Sequence, residues 1–183
     1  MGTVSQDDPL LTARVEGGKN PLRVVVDAAL RISPECRLVQ TAGEVPLVVA
    51  TTQVGSSEKR KELEALGVEV HEFGNIGGRI DLRSLAQWLA KEKKITRLLY
   101  EGGGEVLSSA FAAQLVDEVW VFLAPKIIGG RDAPGAVGGR GLEWMAQALK
   151  IGKVRVTAVG EDQLIVGRLD GSLSEQLNRT ESR

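Results

Sequence analysis

Apolar residues fall in short dense runs, and the stretches between them carry helical spacing. Residues 22–27, LRVVVD, follow Asn20-Pro21 and predict a buried β-branched strand. Residues 47–51, LVVAT, predict a second. Gly55-Ser56-Ser57 then precedes EKRKELEAL, a charged helix with serine as its N-cap, Leu63 and Leu66 on its buried face and Gly67 ending it. VEVHEF, 68–73, predicts the next strand, and Gly74 to Gly78 a loop. Asp81 caps DLRSLAQWLAKEKK, where Leu82, Leu85, Ala86 and Leu89 share one helical face. RLLYE, 97–101, predicts a strand running into Gly102-Gly103-Gly104. EVLSSAFAAQL is then helical, with Val106, Leu107, Ala110 and Phe111 on one side. DEVWVFLA, 117–124, predicts a strand limited by Pro125, and a glycine-rich loop spans Ile127 to Gly141. VRVTAVGEDQLIVGRL reads as a hairpin around Gly160-Glu161-Asp162. Strands alternating with helices before a closing hairpin predict an α/β fold, its sheet mainly parallel with an antiparallel edge and flanked by helices. No repeat or linker divides the chain, so one domain is expected over 1–170, with a polar tail over 171–183.

Composition narrows the function classes. The 183 residues suffice for a core without covalent staples, and the formal net charge of −1 gives no sequence-wide field for nucleic acid or anionic membrane. A local basic pocket for a small phosphorylated ligand stays open. Cys36 is the single cysteine, so no internal disulfide forms, which fits a reducing compartment. With His71 the single histidine and no cysteine cluster, no metal site is expected. No apolar run is long enough to span a bilayer, and residues 1–9 lack the basic and apolar regions of a signal peptide. A cytoplasmic protein is the expectation.

Three places suit chemistry. At Tyr100-Glu101-Gly102-Gly103-Gly104-Glu105 a strand ends, side chains vanish and a helix begins. Its unpaired N–H groups and positive dipole end suit a pyrophosphate, although a tight strand-to-helix turn alone accounts for the same residues. It is not the G-x-G-x-x-G fingerprint, because the third glycine is missing. Asp7-Asp8-Pro9 suits a turn or a ligand contact. Ser56, Ser57, Lys59 and Arg60 gather hydroxyls and cations at a helix start, which suits either an extra phosphate or an N-cap on a solvated face. His71 reads as a surface strand residue, Cys36 as packing, and Trp88, Trp120 and Trp144 as core or interface.

Together, GTVSQDDPLLTAR, NPLRVVVDAALRI, YEGGGEVLSSAFAAQLVDEVWVFLAPKIIGG and VGEDQLIVGRL, in that order, resemble the reductase domain of the bacterial bifunctional riboflavin-biosynthesis deaminase/reductase. The resemblance covers about residues 2–170. It implies a dihydrofolate-reductase-like fold and NADPH-dependent reduction of the ribosyl group of 5-amino-6-(5-phosphoribosylamino)uracil to ribityl. It places cofactor contacts on Thr3, Asp7, Gly103, Gly104, Glu105, Val106, Leu107, Ser108 and Ser109, with Gly102 in the same loop. Substrate contacts fall on Leu11, Arg14 and Glu101. Arg14 suits the sugar phosphate and Glu101 the pyrimidine N–H groups or a ribose hydroxyl. Asp7 is the nearest acidic candidate for the proton donor. With the resemblance, the Ser56–Arg60 cluster favours NADPH over NADH, and the apolar strand around Trp120 favours a homodimer.

Two departures stand out. Ala28 occupies a place where the family often has serine, which removes one hydrogen bond near the cofactor. The family also carries a strand, a basic helix and a second strand before the GTV motif, and a zinc deaminase domain, which this chain is expected to lack. That shortening predicts open strand edges and reduced cover over Val24, Val26, Leu98 and Tyr100, with low stability and little turnover. Two other functions compete: a non-catalytic nucleotide-binding or assembly remnant, and another dihydrofolate-reductase-like enzyme such as a pteridine reductase. The GTVSQDDPLLTAR stretch argues against the latter.

Overall fold

A computed structural model describes residues 2–52, 57–130, 133 and 135–170, which divide into two units between Gly103 and Gly104. The first unit runs α1 (Gly2–Asp7), β1 (Arg23–Val26), α2 (Arg37–Gln40), β2 (Leu47–Thr51), α3 (Ser57–Ala65), β3 (Glu69–Glu72), β4 (Asn75–Ile76), β5 (Arg79–Ile80) and α4 (Leu82–Glu92). β1, β2 and β3 form a parallel sheet in that order, with Val24 opposite Val48 and Val49 opposite Val70. All five residues of β2 are buried, as a central parallel strand covered on both faces requires. Val25, Leu30, Ile32, Leu38, Val39, Leu47, Val49, Leu63 and Val68 form the core around it, and Cys36 packs against that core as a free thiol.

The α4 helix follows its sequence pattern closely. The Asp81 carboxylate accepts from the Arg83 and Ser84 N–H groups at 2.9 and 3.3 Å, and Leu82, Leu85 and Leu89 are buried. On its half-buried side Trp88 stacks on His71 of β3 at 4.4 Å and meets Phe73 edge-on at 5.7 Å. The loop expected at Gly74 to Gly78 instead holds the β4–β5 hairpin. Gly77 and Gly78, with φ of 58° and 83°, supply its two left-handed turn residues, and the Gly78 N–H is held by Asn75 Oδ1 at 2.7 Å.

The strand expected over residues 97–101 does not form. These residues enter no ladder, and Leu98 and Leu99 are 38% and 77% exposed. A strand exists through a partner, and among the described residues β1 pairs with β2 alone, so RLLYE stays an extended connection.

The second unit holds α5 (Gly104–Ala112), β6 (Glu118–Leu123), a 3₁₀ turn at Met145–Gln147, β7 (Ile151–Val159) and β8 (Asp162–Leu169). The expected closing hairpin is β7–β8, turning at Gly160-Glu161. β6 joins its other side in the order β6-β8-β7, all antiparallel. The mixed α/β class thus comprises a parallel sheet, a short hairpin and an antiparallel sheet, with helices. Trp120 and Trp144 are more than 60% exposed, so neither fills a core in this chain.

Candidate functional site

In the first unit a cleft opens beyond the C-terminal ends of β1 and β2. Asp27 follows β1, is 1% exposed, and fixes the turn after it. Its N–H reaches the Ala50 carbonyl at 2.9 Å, and its Oδ2 accepts the Ile32 N–H at 2.8 Å. Within that turn Leu30 is buried with φ of 54°, a left-handed conformation that costs a branched residue energy and marks a spot held by its surroundings. The Ala28 carbonyl accepts hydrogen bonds from the hydroxyls of Thr51 and Thr52, at 3.1 and 2.8 Å, and from the Thr52 N–H. Leu30, Thr51, Thr52, Ser57, Arg60 and Glu72 line about 330 Å³ of open space here. Arg60 Nη2 lies 2.9 Å from Glu72 Oε1, and its Nε lies 3.9 Å from Glu64. Lys59 pairs with Glu62 at 3.0 Å.

The segment before β1 packs onto the same core. Thr3 and Asp7 lie on α1, with Asp7 exposed. Asp8, not Asp7, does structural work: its Oδ1 accepts the Arg37 N–H at 2.8 Å where α2 begins. Leu11 is half-buried against the core with φ of 51°, and Arg14 is exposed. Arg23 is 2% exposed and ties this segment down. Its guanidinium donates to the Leu10 carbonyl at 3.2 Å, to Thr41 Oγ1 at 2.8 Å, to the Thr41 carbonyl at 3.1 Å, and to the Val45 carbonyl.

At the end of the first unit, burial pushes the half-buried Tyr100 phenol above its ordinary pKa, while Glu101 is exposed. Gly102 and Gly103 both adopt left-handed φ, 63° and 75°, which only glycine takes readily in succession. The second unit opens with Gly104 as the first residue of α5. A β-carbon there would lie 2.7 Å from the Gly138 nitrogen, so the two glycine backbones touch; the Gly138 N–H donates to the Gly104 carbonyl at 3.0 Å. The Glu105 carboxylate accepts the Gly139 N–H at 2.9 Å, and Val106, Leu107, Ser108 and Ser109 are half-buried along the helix.

Of the residues singled out in the sequence, Ser57 and Arg60 meet in the cleft, and Lys59 turns to Glu62 instead. Ser56 lies outside the described residues, as does the Thr3 side chain. The sequence did not point to Leu30, Thr51, Thr52, Glu72 or the Gly138–Gly139 contact. Threonines ending an all-apolar strand, and an acid ending the next strand, were the signals available for the cleft. Among the described residues no group of His, Cys, Asp and Glu is arranged to hold a metal, and no helix is long and apolar enough to cross a membrane.

Residues 1–165 match the model of the RibD C-terminal domain family. The riboflavin biosynthesis protein RibD of Actinobacillus pleuropneumoniae is 37% identical over 165 residues, covering 90% of this chain and 43% of that protein. The 2,5-diamino-6-ribosylamino-4(3H)-pyrimidinone 5′-phosphate reductase of Methanothermobacter thermautotrophicus is 39% identical over 168 residues, covering 90% of this chain and 75% of that one. Among solved structures, Acinetobacter baumannii RibD matches with a TM-score of 0.77 at 26% identity, over 92% of this chain and 45% of that one. The chain thus spans less than half the length of these RibD relatives, but three quarters of the archaeal reductase.

Proposed function

Because the chain belongs to the RibD C-terminal domain family, we propose that it is a riboflavin-pathway reductase that uses NADPH to reduce the ribosyl side chain of 5-amino-6-(5-phosphoribosylamino)uracil to ribityl. The observation that carries this reading is the 39% identity to a protein named as a pyrimidinone 5′-phosphate reductase, three quarters of which this chain spans. The local geometry adds to it. A cleft with hydroxyls and a guanidinium beyond the ends of parallel strands suits a dinucleotide's ribose and phosphate, and Arg60 there favours a 2′-phosphate, hence NADPH. The glycine-led start of α5, with Gly104 to Ser109, suits a pyrophosphate.

Hydride is what the dinucleotide supplies when bound. The chain's own residues bind and orient. In this reading Thr3, Asp7, Ser57 and Arg60 contact the cofactor, and Arg14 pairs with the sugar phosphate. Leu11 packs against the substrate, and Glu101 accepts from its N–H groups or a hydroxyl. Asp7, exposed on α1, is the proton donor of this scheme.

A second substrate is favoured by one specific finding. The archaeal relative is named for the diaminopyrimidinone, which carries an amino group where the uracil carries a ring carbonyl oxygen. The test is NADPH oxidation with each pyrimidine 5′-phosphate in turn. Turnover with the uracil supports the first assignment, turnover with the diaminopyrimidinone alone moves the enzyme one step earlier, and no turnover with either refutes the reductase reading. The protein acts in the cytoplasm as a homodimer in this scheme, with the second copy covering the exposed Trp120 and Phe122 of β6. Sedimentation at micromolar concentration that finds monomer alone rejects the dimer.

A further inference from the structure

We propose that Glu72 sets the protein's choice at the cofactor's 2′ position by competing with a 2′-phosphate for Arg60. The proposal rests on the reading of the cleft as part of the dinucleotide site and adds a residue that the sequence motifs do not mark.

Among the described residues that line the cleft, Arg60 is the one cation and Glu72 the one anion. They face each other at 2.9 Å, with their side chains 32% and 42% exposed, so the pair sits at the rim in contact with solvent. The Thr52 hydroxyl donates to the Ala28 carbonyl, and the Thr51 hydroxyl to the Ala28 or Thr52 carbonyl, at 3.1 and 3.3 Å. Both hydroxyls therefore present lone pairs to a ligand, which suit a hydroxyl proton and oppose a phosphate oxygen. Among the described lining residues the guanidinium is thus the charged group that recognises a 2′-phosphate, with the Ser57 hydroxyl beside it, and in the free protein Glu72 holds it. Among the described residues Glu64, at 3.9 Å from Nε, is the other carboxylate paired with it and lies one helical turn along α3.

The two cofactors meet this arrangement differently. A 2′-hydroxyl can donate to the Glu72 carboxylate and leave the ion pair in place. A 2′-phosphate must draw Arg60 away from Glu72 and settle beside a like charge. Glu72 therefore lowers the preference for NADPH that Arg60 creates, in the way an acid at a strand end disfavours a 2′-phosphate in other dinucleotide sites. Removing its charge releases the guanidinium. An exposed pair of this kind contributes at most about 1 kcal/mol. At 1.4 kcal/mol per tenfold, that is a change of about fivefold in affinity.

The experiment measures dissociation constants for NADPH and NADH, and for 2′,5′-ADP and 5′-ADP, with the wild-type chain, Glu72→Gln, Arg60→Gln and the double variant. Glu72→Ala repeats the test with the side chain removed. Glu72→Gln should bind NADPH and 2′,5′-ADP about fivefold more tightly and NADH and 5′-ADP no more tightly than wild type. In the Arg60→Gln background the same substitution should give a clearly smaller gain, because only the direct repulsion between Glu72 and the 2′-phosphate is then left to relieve. Equal shifts for both cofactors, or a gain undiminished without Arg60, would falsify the selector role and leave the reductase reading standing. A wild-type chain that binds none of the four nucleotides overturns both.

Discussion

Replacing Arg23 with methionine should destabilise the chain and weaken substrate binding far more than cofactor binding. Methionine keeps an unbranched apolar stem in the space where the arginine stem runs, and removes every donor. Arg23 is buried, and its guanidinium serves three backbone carbonyls, of Leu10, Thr41 and Val45, together with Thr41 Oγ1. Burial lowers its pKa from the ordinary arginine value, with the nearby Cys36 thiol opposing that, yet a guanidinium stays ionised at neutral pH. A hydrogen bond to a charged group is worth about 1.5–3 kcal/mol, and a stranded buried acceptor costs about 1–3 kcal/mol. Against this stands the desolvation of a buried cation, which methionine removes. Three carbonyls losing their donor should leave a net loss of about 3 kcal/mol, a large part of the roughly 5–15 kcal/mol that holds a domain folded.

The functional part follows from where the carbonyls lie. The Leu10 carbonyl precedes Leu11, which sits at a left-handed φ of 51° and stays there only while its neighbours are fixed. Without Arg23 that segment, with Leu11 and Arg14 on it, loses its tie to Thr41 and Val45. Urea unfolding should read the stability change, and steady-state kinetics the rest: a raised KM for the pyrimidine 5′-phosphate with NADPH affinity within about twofold of wild type, because α1, with Thr3 and Asp7, keeps its own tie through Asp8 and the Arg37 N–H. Arg23→Lys should recover little of either, since one ammonium cannot span these acceptors. A loss below about 1 kcal/mol, or equal weakening of substrate and cofactor, would refute the clamp.

Asp81→Ala removes the cap of α4, with its bonds to Arg83 N, Ser84 N and Ser84 Oγ, and should cost about 1 kcal/mol by urea unfolding. The Ser84 hydroxyl bond, with the two N–H bonds and Arg83, holds the Asp81 pKa below the ordinary carboxylate value against some desolvation. The cap's contribution is therefore complete above the unfolded pKa near 4 and disappears as pH falls through the lower folded value, so wild type and variant should converge in acid. Tyr100 is the single tyrosine, so its tyrosinate absorbance reports it alone; it should titrate above the ordinary value near 10. Its burial favours the neutral phenol, so that contribution is complete below the unfolded pKa and disappears as pH rises through the folded one; a midpoint at or below the model-peptide value contradicts the burial. Glu101→Gln should raise the pyrimidine KM or lower kcat and leave NADPH affinity nearly unchanged, and loss of NADPH binding with normal substrate kinetics would reassign Glu101 to the cofactor.

What was legible in the sequence is what local chemistry decides. LVVAT reads as a fully buried strand and is one, since five consecutive apolar or threonine residues fit only the middle of a covered sheet. Asp81 reads as a cap because the leucine spacing behind it leaves the first turn of a helix there. RLLYE carries the same composition as a strand and remains unpaired, because pairing depends on a neighbour that the run itself does not specify. Arg23 opens a β-branched run as though at its solvated end, and only the loops from Leu10, Thr41 and Val45 converging on it make it a buried donor. The same division runs through the cleft. Ser57 and Arg60 were visible as a hydroxyl and a cation at a helix start, but Glu72 acquires its role from the distance to Arg60 across the cleft, which no local pattern encodes.

The distribution of exposed apolar surface argues for a covering partner on the second unit. Among its described residues the buried apolar side chains are Ala110 and Leu169. Along β6 the side chains alternate between faces, so Trp120 and Phe122 point one way and Val121 and Leu123 the other, and all four are exposed. A solvated antiparallel sheet keeps one polar face, and here neither face of that strand is polar over these four positions. Val154 and Val156 extend the pattern on β7. Fully burying a side chain of this size stabilises by about 1.5–3 kcal/mol, and these four are about half exposed, so covering half of what β6 exposes is worth about 2–3 kcal/mol, a sizeable part of the roughly 5–15 kcal/mol that holds a domain folded. A surface of that value, left to water, favours association over solubility. A second copy carries the same apolar strand, and a two-fold pairing would bury both at once, which is the cover that the proposed homodimer would supply.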